Sequence, residues 1–385
     1  MKHRFIAKRY WNDMPNAFSA EKEDVIEDLI PLTYGDPDFT TPDAILNPTF
    51  EDVRNGHTHY TELCGYKELR LEVCKFFLDR FGMKIKKDET YITNGAGHGL
   101  YIALESILDD GDEVIIHQPY YSPYIDQVKL ARGIPVFLDT YEKENFEIDP
   151  SRLRSKITNR TKAIIINNPN NPTGATFSKK CLESIAAIAE EYDLIVIADE
   201  VYGLYNYETP FVPFVSLDRM RERTITLCSA SKDFAMTGWR VGYTLAPDFL
   251  IERMKRVNEN DSIMASSVAQ RALLHGLQNR QEVQKVLYEE YKDRMQYAYG
   301  RIKSIPKISV LPPKATFYLF ANITETGLSS DEITQLIHDE AHVAVFPGSA
   351  FGECGEGYIR IACTVGMDQL KDAFDRISLM NIFSN

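Results

Sequence analysis

Short runs of apolar and β-branched residues alternate with helical segments between residues 88 and 245, and this alternation is the strongest constraint on the fold. The runs cover residues 113–116, 163–166, 194–198, 224–227 and 241–245. Strands that alternate with helices are typical of βαβ units, which build a mostly parallel sheet. Several runs are apolar on both faces, as in strands that helices cover on both sides. We therefore predict an α/β fold whose mostly parallel central sheet is flanked by helices.

A second, smaller unit is predicted from the pattern that follows. One long amphipathic helix covers residues 281–305, and strands are predicted at residues 308–311, 316–321, 343–346 and 358–362. Ser329 and Glu332 form a capping box that begins a helix reaching about His342, and a last helix begins near Met367. At 385 residues the chain exceeds the size at which one hydrophobic core stops growing. We predict a large domain over residues 45–285 and a small α+β domain built from residues 1–44 and 286–385.

The charge balance and the cysteines narrow the class of protein. Acidic residues outnumber Lys and Arg by 56 to 43, and the net charge of −13 opposes nonspecific attraction to nucleic acid or an anionic membrane. The six cysteines have no C-x-x-C spacing, which favours reduced thiols over a disulfide framework or a zinc site. The sequence contains neither a signal-peptide pattern nor an apolar run of membrane-spanning length. We expect a soluble cytoplasmic protein that acts on small molecules.

Polar residues follow four of the predicted strands at the point where each strand ends. They are His117-Gln118-Pro119, Asn167-Asn168-Pro169, Asp199-Glu200 and Ser229. In open α/β sheets, ligands bind beyond the carboxyl ends of the strands. We therefore expect these four strand ends to converge on one crevice.

Lys232 is the candidate catalytic residue of this crevice. It follows an apolar run and the hydroxyl residues Ser229 and Ser231, and Arg240 comes shortly after it. An amine must be neutral to act as a nucleophile, whereas a free lysine has a pKa near 10.4. Desolvation and nearby cations, among which we expect Arg240, lower that pKa. The alternative interpretation of any single lysine is a solvated surface charge.

Asp199 and a glycine-rich turn predict two binding points for a charged ligand. A carboxylate at the end of a buried strand needs a cation or several donors, and a structural salt bridge or a protonated pyridine nitrogen would equally satisfy Asp199. The turn Gly95-Ala96-Gly97-His98-Gly99 follows a short strand and begins an apolar helix, where free backbone N–H groups attract an anion. It is not the dinucleotide fingerprint, because Leu100 stands where the third glycine is needed. Ser229 and Arg240 can add a hydroxyl and a guanidinium to the same anion.

Six motifs resemble those of fold-type I pyridoxal-phosphate enzymes of the class I and II aminotransferase family. The motifs are Gly35-Asp36-Pro37-Asp38-Phe39, the turn from Asn168 to Gly174, Asp199-Glu200-x-Tyr202, Ser229-x-Ser231-Lys232, Gly238-x-Arg240-x-Gly242 and Tyr358-Ile359-Arg360-Ile361. They span residues 35–360 in the family's order. The resemblance implies an aspartate-aminotransferase-like fold and pyridoxal 5′-phosphate bound in the large domain.

The resemblance also implies a role for each matching residue. Lys232 would bind the cofactor's aldehyde and carry the proton between substrate and cofactor, while Asp199 would keep the pyridine nitrogen protonated. The other implied cofactor contacts are Ala96, Gly97, Ser229 and Arg240 at the phosphate, Tyr121 on the ring, Asn171 and Tyr202 at the phenolic oxygen, and Tyr60 reaching from the neighbouring subunit of a homodimer. Arg360 would bind the substrate α-carboxylate, with Gly35 and Asn171 as further substrate contacts.

The sequence departs from the family pattern at two places. Ala96 and Gly97 stand where many relatives have a hydroxyl residue, so backbone amides must do more of the phosphate binding. Ala315 replaces the glycine of the common P-x-G-x-F-Y motif, which leaves the substrate preference open.

The reaction implied by the resemblance is transamination, in which an L-amino acid gives its amino group to a 2-oxo acid in a ping-pong cycle. A lyase acting on a modified amino acid is the alternative, because the motifs report only the cofactor chemistry that both reactions share.

A cofactor-sensing regulator would normally need a DNA-binding module, and only a short acidic segment precedes the first motif. The segment His338-Asp339-Glu340-Ala341-His342 matches neither zincin pattern, so no metal site is predicted. The amino donor is not predicted.

Overall fold

The computed structural model describes Phe5 and residues 27–384. The strands are β1 (Ile30–Pro31), β2 (Thr90–Thr93), β3 (Glu113–Gln118), β4 (Ile134–Asp139), β5 (Thr161–Asn167), β6 (Ile195–Asp199), β7 (Thr224–Ser229), β8 (Gly242–Leu245), β9 (Tyr318–Asn322), β10 (Val343–Ala344), β11 (Phe346–Pro347) and β12 (Tyr358–Ala362). The α-helices are α1 (Asp43–Arg54), α2 (Lys67–Phe81), α3 (Ala96–Ile107), α4 (Pro123–Leu130), α5 (Pro150–Lys156), α6 (Lys179–Glu191), α7 (Ala230–Asp233), α8 (Asp248–Asn258), α9 (Ser267–Gln278), α10 (Arg280–Ile302), α11 (Ser330–Ala341) and α12 (Met367–Ser378).

A seven-stranded sheet runs in the order β2-β8-β7-β6-β5-β3-β4. Strands β7, β6, β5, β3 and β4 are parallel to their neighbours in that series, whereas β8 is antiparallel to both β2 and β7. Each of the five apolar runs predicted as strands lies in this sheet. The predicted α/β fold with a mostly parallel sheet is therefore confirmed.

Helices pack on both faces of this sheet. Along β3, Val114 and Ile116 belong to a core that includes Leu100 of α3, whereas Ile115 belongs to a separate core that includes Ile185 of α6. Successive side chains of a strand point to opposite faces, so both faces of β3 are buried. This explains why the central strands are apolar at nearly every position.

The edge strand β4 was not predicted, because its sequence Ile-Pro-Val-Phe-Leu-Asp contains Pro135. Proline has no N–H to give to a sheet, and a proline inside an apolar run argues against a central strand. β4 pairs with β3 alone and is largely half-buried, so it has an unpaired side that tolerates the proline.

A three-stranded antiparallel sheet in the order β11-β12-β9 follows the long helix α10. Its central strand β12 holds Arg360, which pairs with Phe346 of β11 and with Phe320 of β9. The capping box is present, since Ser329 Oγ accepts from Glu332 N–H and the Glu332 carboxylate accepts from Ser329 N–H.

Two predicted strands of this part of the chain were wrong in detail. Residues 308–311 make one isolated bridge, between Ser309 and Asn322, because Pro312 and Pro313 follow and cannot donate to a longer ladder. Residues 343–346 divide into β10, which pairs with β1, and β11, which pairs with β12, with Val345 between them.

The largest apolar core joins side chains of the seven-stranded sheet, such as Ile92 and Leu245, to side chains of the three-stranded sheet, such as Leu319 and Ile361. The division into residues 45–285 against residues 1–44 and 286–385 stays a prediction, and residues 1–4 and 6–26 of the small domain lie outside the described residues. Among the residues described, the helices are all too short or too polar to cross a bilayer.

Candidate active site

A cavity of about 280 Å³ lies at the carboxyl ends of β5, β6 and β7. The last residues of these strands, Asn167, Asp199 and Ser229, line it. The other lining residues predicted from the sequence are Gly35, Ala96, Gly97, Tyr121, Asn171, Tyr202, Lys232, Arg240 and Arg360. Three of the four polar strand ends therefore meet in one crevice, as expected for an open α/β sheet.

The end of β3 does not reach this cavity, so the prediction that all four strand ends converge was wrong for His117 and Gln118. His117 is buried, its Nε2 accepts from the Asn167 N–H at 3.1 Å, and burial lowers its pKa to about 4. Gln118 donates to Asp139 Oδ1 on the edge strand β4 at 2.5 Å. β3 lies one strand beyond β5, and its polar side chains are used in contacts within the sheet.

Lys232 lies in the short helix α7, which begins directly after β7. Its Nζ donates to the Gly35 carbonyl oxygen and lies 5.9 Å from the centre of the Phe317 ring. The pKa of the Lys232 amine is lowered to about 8, with desolvation as the largest cause, Asp36 opposing it, and Arg360 and Arg240 adding to the lowering. The expected lowering is confirmed, with desolvation rather than the arginines as its largest cause. Near neutral pH this lysine is thus a neutral amine far more often than a solvated one is.

Asp199 is buried at the end of β6 with hydrogen bonds but without a counter-ion. Its Oδ2 accepts from the Tyr124 hydroxyl at 2.5 Å, and its Oδ1 accepts from the Val201 N–H at 3.3 Å. Burial raises the pKa of this carboxyl to about 6. Within the described part of the chain, Asp199 forms no ion pair with a Lys, Arg or His side chain. The structural salt bridge considered for Asp199 is therefore absent among the described residues, and the Tyr124 hydroxyl and the Val201 N–H are its donors there.

The part of the cavity lined by Ala96, Gly97 and Arg240 can hold an anion. Ala96 and Gly97 begin helix α3, where backbone N–H groups are free of helical partners. Gly95 has a φ of +82°, which favours glycine, and a Cβ on it would come within 2.8 Å of Arg240 Nη2, so its absence leaves room for the guanidinium. Arg240 donates through Nη1 to the Thr237 carbonyl oxygen at 2.7 Å.

Two serine hydroxyls complete this part of the cavity. Ser229 Oγ accepts from the Ser231 N–H at 3.1 Å and lies 2.9 Å from Ser231 Oγ. The sequence did not single out Ser231 as a ligand-binding residue, although its position two residues after a strand-end serine was a usable signal.

Arg360 is a buried cation on the central strand of the three-stranded sheet, with 1% of its surface exposed. Its Nη1 donates to Asn171 Oδ1 at 2.8 Å, its Nη2 donates to the Thr33 carbonyl oxygen, and its buried Nε has no partner among the described residues. The rings of Tyr318, Phe351 and Phe346 surround the guanidinium at 4.6, 4.7 and 4.9 Å. Burial lowers its pKa from the ordinary arginine value. A buried guanidinium without a carboxylate is costly, so this position favours an anionic ligand.

Five tyrosines line the cavity: Tyr34, Tyr121, Tyr124, Tyr202 and Tyr318. The Tyr202 and Tyr318 hydroxyls are 3.0 Å apart, and Tyr121 packs edge to face on Tyr124 with ring centres 5.4 Å apart. Burial raises the pKa of Tyr121 to about 12 and that of Tyr202 well above its ordinary value, so both hydroxyls are protonated. Tyr318 was not predicted as a site residue. Gly35 makes room for it, since a Cβ on Gly35 would lie 1.6 Å from the Tyr318 hydroxyl oxygen.

Tyr60 does not line the cavity of its own protomer. It lies between α1 and α2, and 82% of its surface is exposed. Its predicted contact with a neighbouring subunit stays a prediction.

Comparisons with known proteins give a consistent result. The sequence model of the family described as "Aminotransferase class I and II" matches residues 27–377. The aspartate aminotransferase of Pyrococcus horikoshii is 39% identical over 363 residues, which cover 93% of this chain and 92% of that protein. Aromatic-amino-acid aminotransferase 2 of Thermococcus litoralis is also 39% identical, over 91% of each chain. The crystal structure of the aromatic aminotransferase from Pyrococcus horikoshii OT3 has a TM-score of 0.89 at 38% identity, and the match covers 92% of this chain and 95% of that chain.

Proposed function

This chain belongs to the class I and II aminotransferase family and is an aminotransferase, and we propose that it works with pyridoxal 5′-phosphate bound in the cavity described above. The observation that carries the proposal is Asp199, a buried carboxylate that faces the cavity without a cation. Lys232, with its lowered pKa, lines the same cavity. A ligand with a protonated ring nitrogen, an aldehyde and a phosphate matches Asp199, Lys232 and the anion-binding part together.

The residues present fit each part of this cofactor. The amides of Ala96 and Gly97, the hydroxyl of Ser229 and the guanidinium of Arg240 would hold the phosphate. The remaining contacts would be Tyr121 on the ring, Asp199 at the ring nitrogen, and Asn171 and Tyr202 at the phenolic oxygen. Because Asn171 Oδ1 accepts from Arg360, its amide nitrogen is left to donate to the cofactor, which supports a role for Asn171 toward both cofactor and substrate.

The chemistry divides between the cofactor and the protein. When bound, pyridoxal 5′-phosphate supplies an aldehyde for amines and a ring that takes up electron density from the carbon bearing the amine. Lys232 supplies a neutral amine and carries a proton to and from that carbon. Asp199 keeps the ring nitrogen protonated, and Arg360 orients the substrate through its α-carboxylate. The relatives described above are named as aminotransferases, which favours transamination over the lyase alternative.

The reaction is tested by following the absorbance of bound cofactor through both halves of the cycle. We expect at least one of the common L-amino acids to convert the band of the holoenzyme to that of the aminated cofactor, and a 2-oxo acid to restore it. Failure of every amino acid to change the band would refute the proposed function. Release of pyruvate and ammonia without an oxo-acid acceptor would establish the lyase instead.

We also propose a cytoplasmic homodimer of two-domain subunits in which Tyr60 reaches the phosphate of the partner subunit. The exposure of this tyrosine supports the dimer, and the free state of all six cysteines supports a reducing compartment.

Replacing Tyr60 with phenylalanine is expected to weaken cofactor binding about 10- to 100-fold, because hydrogen bonds to charged groups contribute roughly 1.5–3 kcal/mol. Titration of the apoprotein with pyridoxal 5′-phosphate measures the affinity, and sedimentation measures the dimer. Tyr192→Phe is the matched control, since Tyr192 is also an exposed tyrosine and lies at the end of α6, outside the cavity. An unchanged affinity in a dimeric Tyr60→Phe protein would contradict the contact.

A further inference from the structure

Tyr34 lies between two residues that contact the charged groups of the site. The carbonyl oxygen of Thr33 accepts from Arg360, and that of Gly35 accepts from Lys232 Nζ. Under the proposed function, Arg360 binds the α-carboxylate of the substrate and Lys232 lies at its amino nitrogen. Both groups are attached to the α-carbon, which places that carbon, and with it the base of the substrate side chain, beside the segment that joins these two contacts. Tyr34 is the residue in the middle of that segment.

The side chain of Tyr34 offers an aromatic surface at this point. It lines the cavity, and 43% of its surface is exposed. Its ring packs edge to face on Phe346, with ring centres 5.9 Å apart, and Phe346 in turn lies 4.9 Å from the Arg360 guanidinium. Aromatic pairs in such geometries are stabilised beyond the apolar area that they bury. An aromatic or large apolar substrate side chain would extend this cluster.

The charges of the cavity disfavour an acidic substrate side chain. The described residues that line it include three cations, Lys232, Arg240 and Arg360, and two anions, Asp36 and Asp199. Under the proposed function Arg240 is used by the phosphate and Arg360 by the α-carboxylate, while Lys232 acts as a neutral amine. No lining cation of the described protomer is then left for a second carboxylate. Asp36, whose Oδ1 accepts from Thr237 Oγ1 at 2.6 Å, would repel one.

We propose that Tyr34 selects the amino donor, and that the site prefers aromatic and large apolar donors to acidic ones. This inference rests on the proposed function, because it takes the positions of the α-carboxylate and amino group from Arg360 and Lys232. It identifies Tyr34 as a specificity residue and not as a catalytic residue.

The test compares donor half-reactions of the holoenzyme with phenylalanine, alanine and aspartate. We expect kcat/KM for phenylalanine to exceed that for aspartate at least about tenfold in the unmodified protein. Tyr34→Ala should lower the ratio of kcat/KM for phenylalanine to that for alanine by about tenfold, because alanine is too short to reach the Tyr34 ring. The decrease in kcat/KM for phenylalanine should come mainly from a higher KM, whereas a disturbed active site would lower kcat for every donor.

Tyr192→Ala is the matched control, because it removes an exposed tyrosine outside the cavity and should leave all three rates unchanged. Aspartate reacting as fast as phenylalanine in the unmodified protein would overturn the proposed preference. An equal loss for phenylalanine and alanine in Tyr34→Ala would overturn the role of Tyr34. If no donor reacts with a protein that binds the cofactor, the proposed function itself fails, which is a result distinct from a reversed preference.

Discussion

Replacing Lys232 with alanine is expected to lower kcat/KM for transamination by at least about 10⁴-fold, because the change removes both a nucleophile and the group that transfers the proton. The amine of Lys232 lines the cavity, contacts Gly35, and has its pKa lowered to about 8. The half-reaction with a donor that the unmodified protein accepts measures the loss. Borohydride reduction followed by peptide mass spectrometry should find the cofactor fixed to the peptide containing Lys232 in the unmodified protein and absent from that peptide in Lys232→Ala.

Lys179→Ala is the matched control for this experiment. Lys179 begins helix α6, and 72% of its side chain is exposed. Its replacement should leave both the rate and the covalent attachment unchanged. The far-UV circular dichroism of Lys232→Ala should match that of the unmodified protein, since the substitution lies in a short helix and introduces a good helix former. A cofactor that still attaches covalently to Lys232→Ala would show that another amine does this work.

Residues close to strand ends could be placed from the sequence because the connectivity of parallel strands brings those ends together. Asp199, Ser229 and Lys232 lie at or just after the ends of β6 and β7, and all three line the cavity. His117 also lies near a strand end, but its ring accepts from the Asn167 N–H, and it is Tyr121, beyond the end of β3, that lines the cavity. Which residue near a strand end faces the crevice depends on the tertiary structure and is not contained in any single run of residues.

Contacts between residues far apart in the sequence could not be predicted from local patterns. Tyr124 reaches Asp199 across 75 residues, and Tyr318 reaches Tyr202 across 116 residues. A tyrosine near a strand end is as compatible with core packing as with a hydrogen bond to a carboxylate, and only the tertiary structure distinguishes the two. The edge strand β4 was missed for a different reason, since a proline is excluded from a central strand but tolerated at an edge.

The partner of Asp199 was the most consequential question left open by the sequence. A salt bridge and a cationic ligand predict the same buried carboxylate, and they differ only in whether a protein cation is nearby. In the described residues Asp199 has Tyr124 and Val201 as donors and no ion pair. These two hydrogen bonds offset part of the cost of the buried carboxylate in the free protein, and a bound cation would offset more of it.

Replacing Asp199 with asparagine is expected to stabilise the cofactor-free protein and to lower its activity. Burial raises the pKa of Asp199 to about 6, above the value of about 3.9 for an unfolded chain, so the native state binds an extra proton between roughly pH 4 and pH 6. The stability that this group contributes is thus fully present below about pH 4 and is lost as the pH rises through 6. At pH 7 the loss is about 2–3 kcal/mol, which Asp199→Asn should recover.

The same substitution should lower kcat for transamination by about 10²–10³-fold, as expected when one preorganised electrostatic contact is removed from an active site. Denaturant unfolding of the apoprotein at pH 4 and pH 7 measures the first effect, and the donor half-reaction measures the second. The gain in stability should appear at pH 7, disappear near pH 4, and reverse when pyridoxal 5′-phosphate is bound, because the protonated ring nitrogen then supplies the missing counter-ion. Asp218→Asn, at a side chain that is 99% exposed, should change neither quantity. A lower free energy of unfolding of Asp199→Asn apoprotein at pH 7 would show instead that the carboxylate is a structural residue. Its assignment to the ring nitrogen would then be wrong.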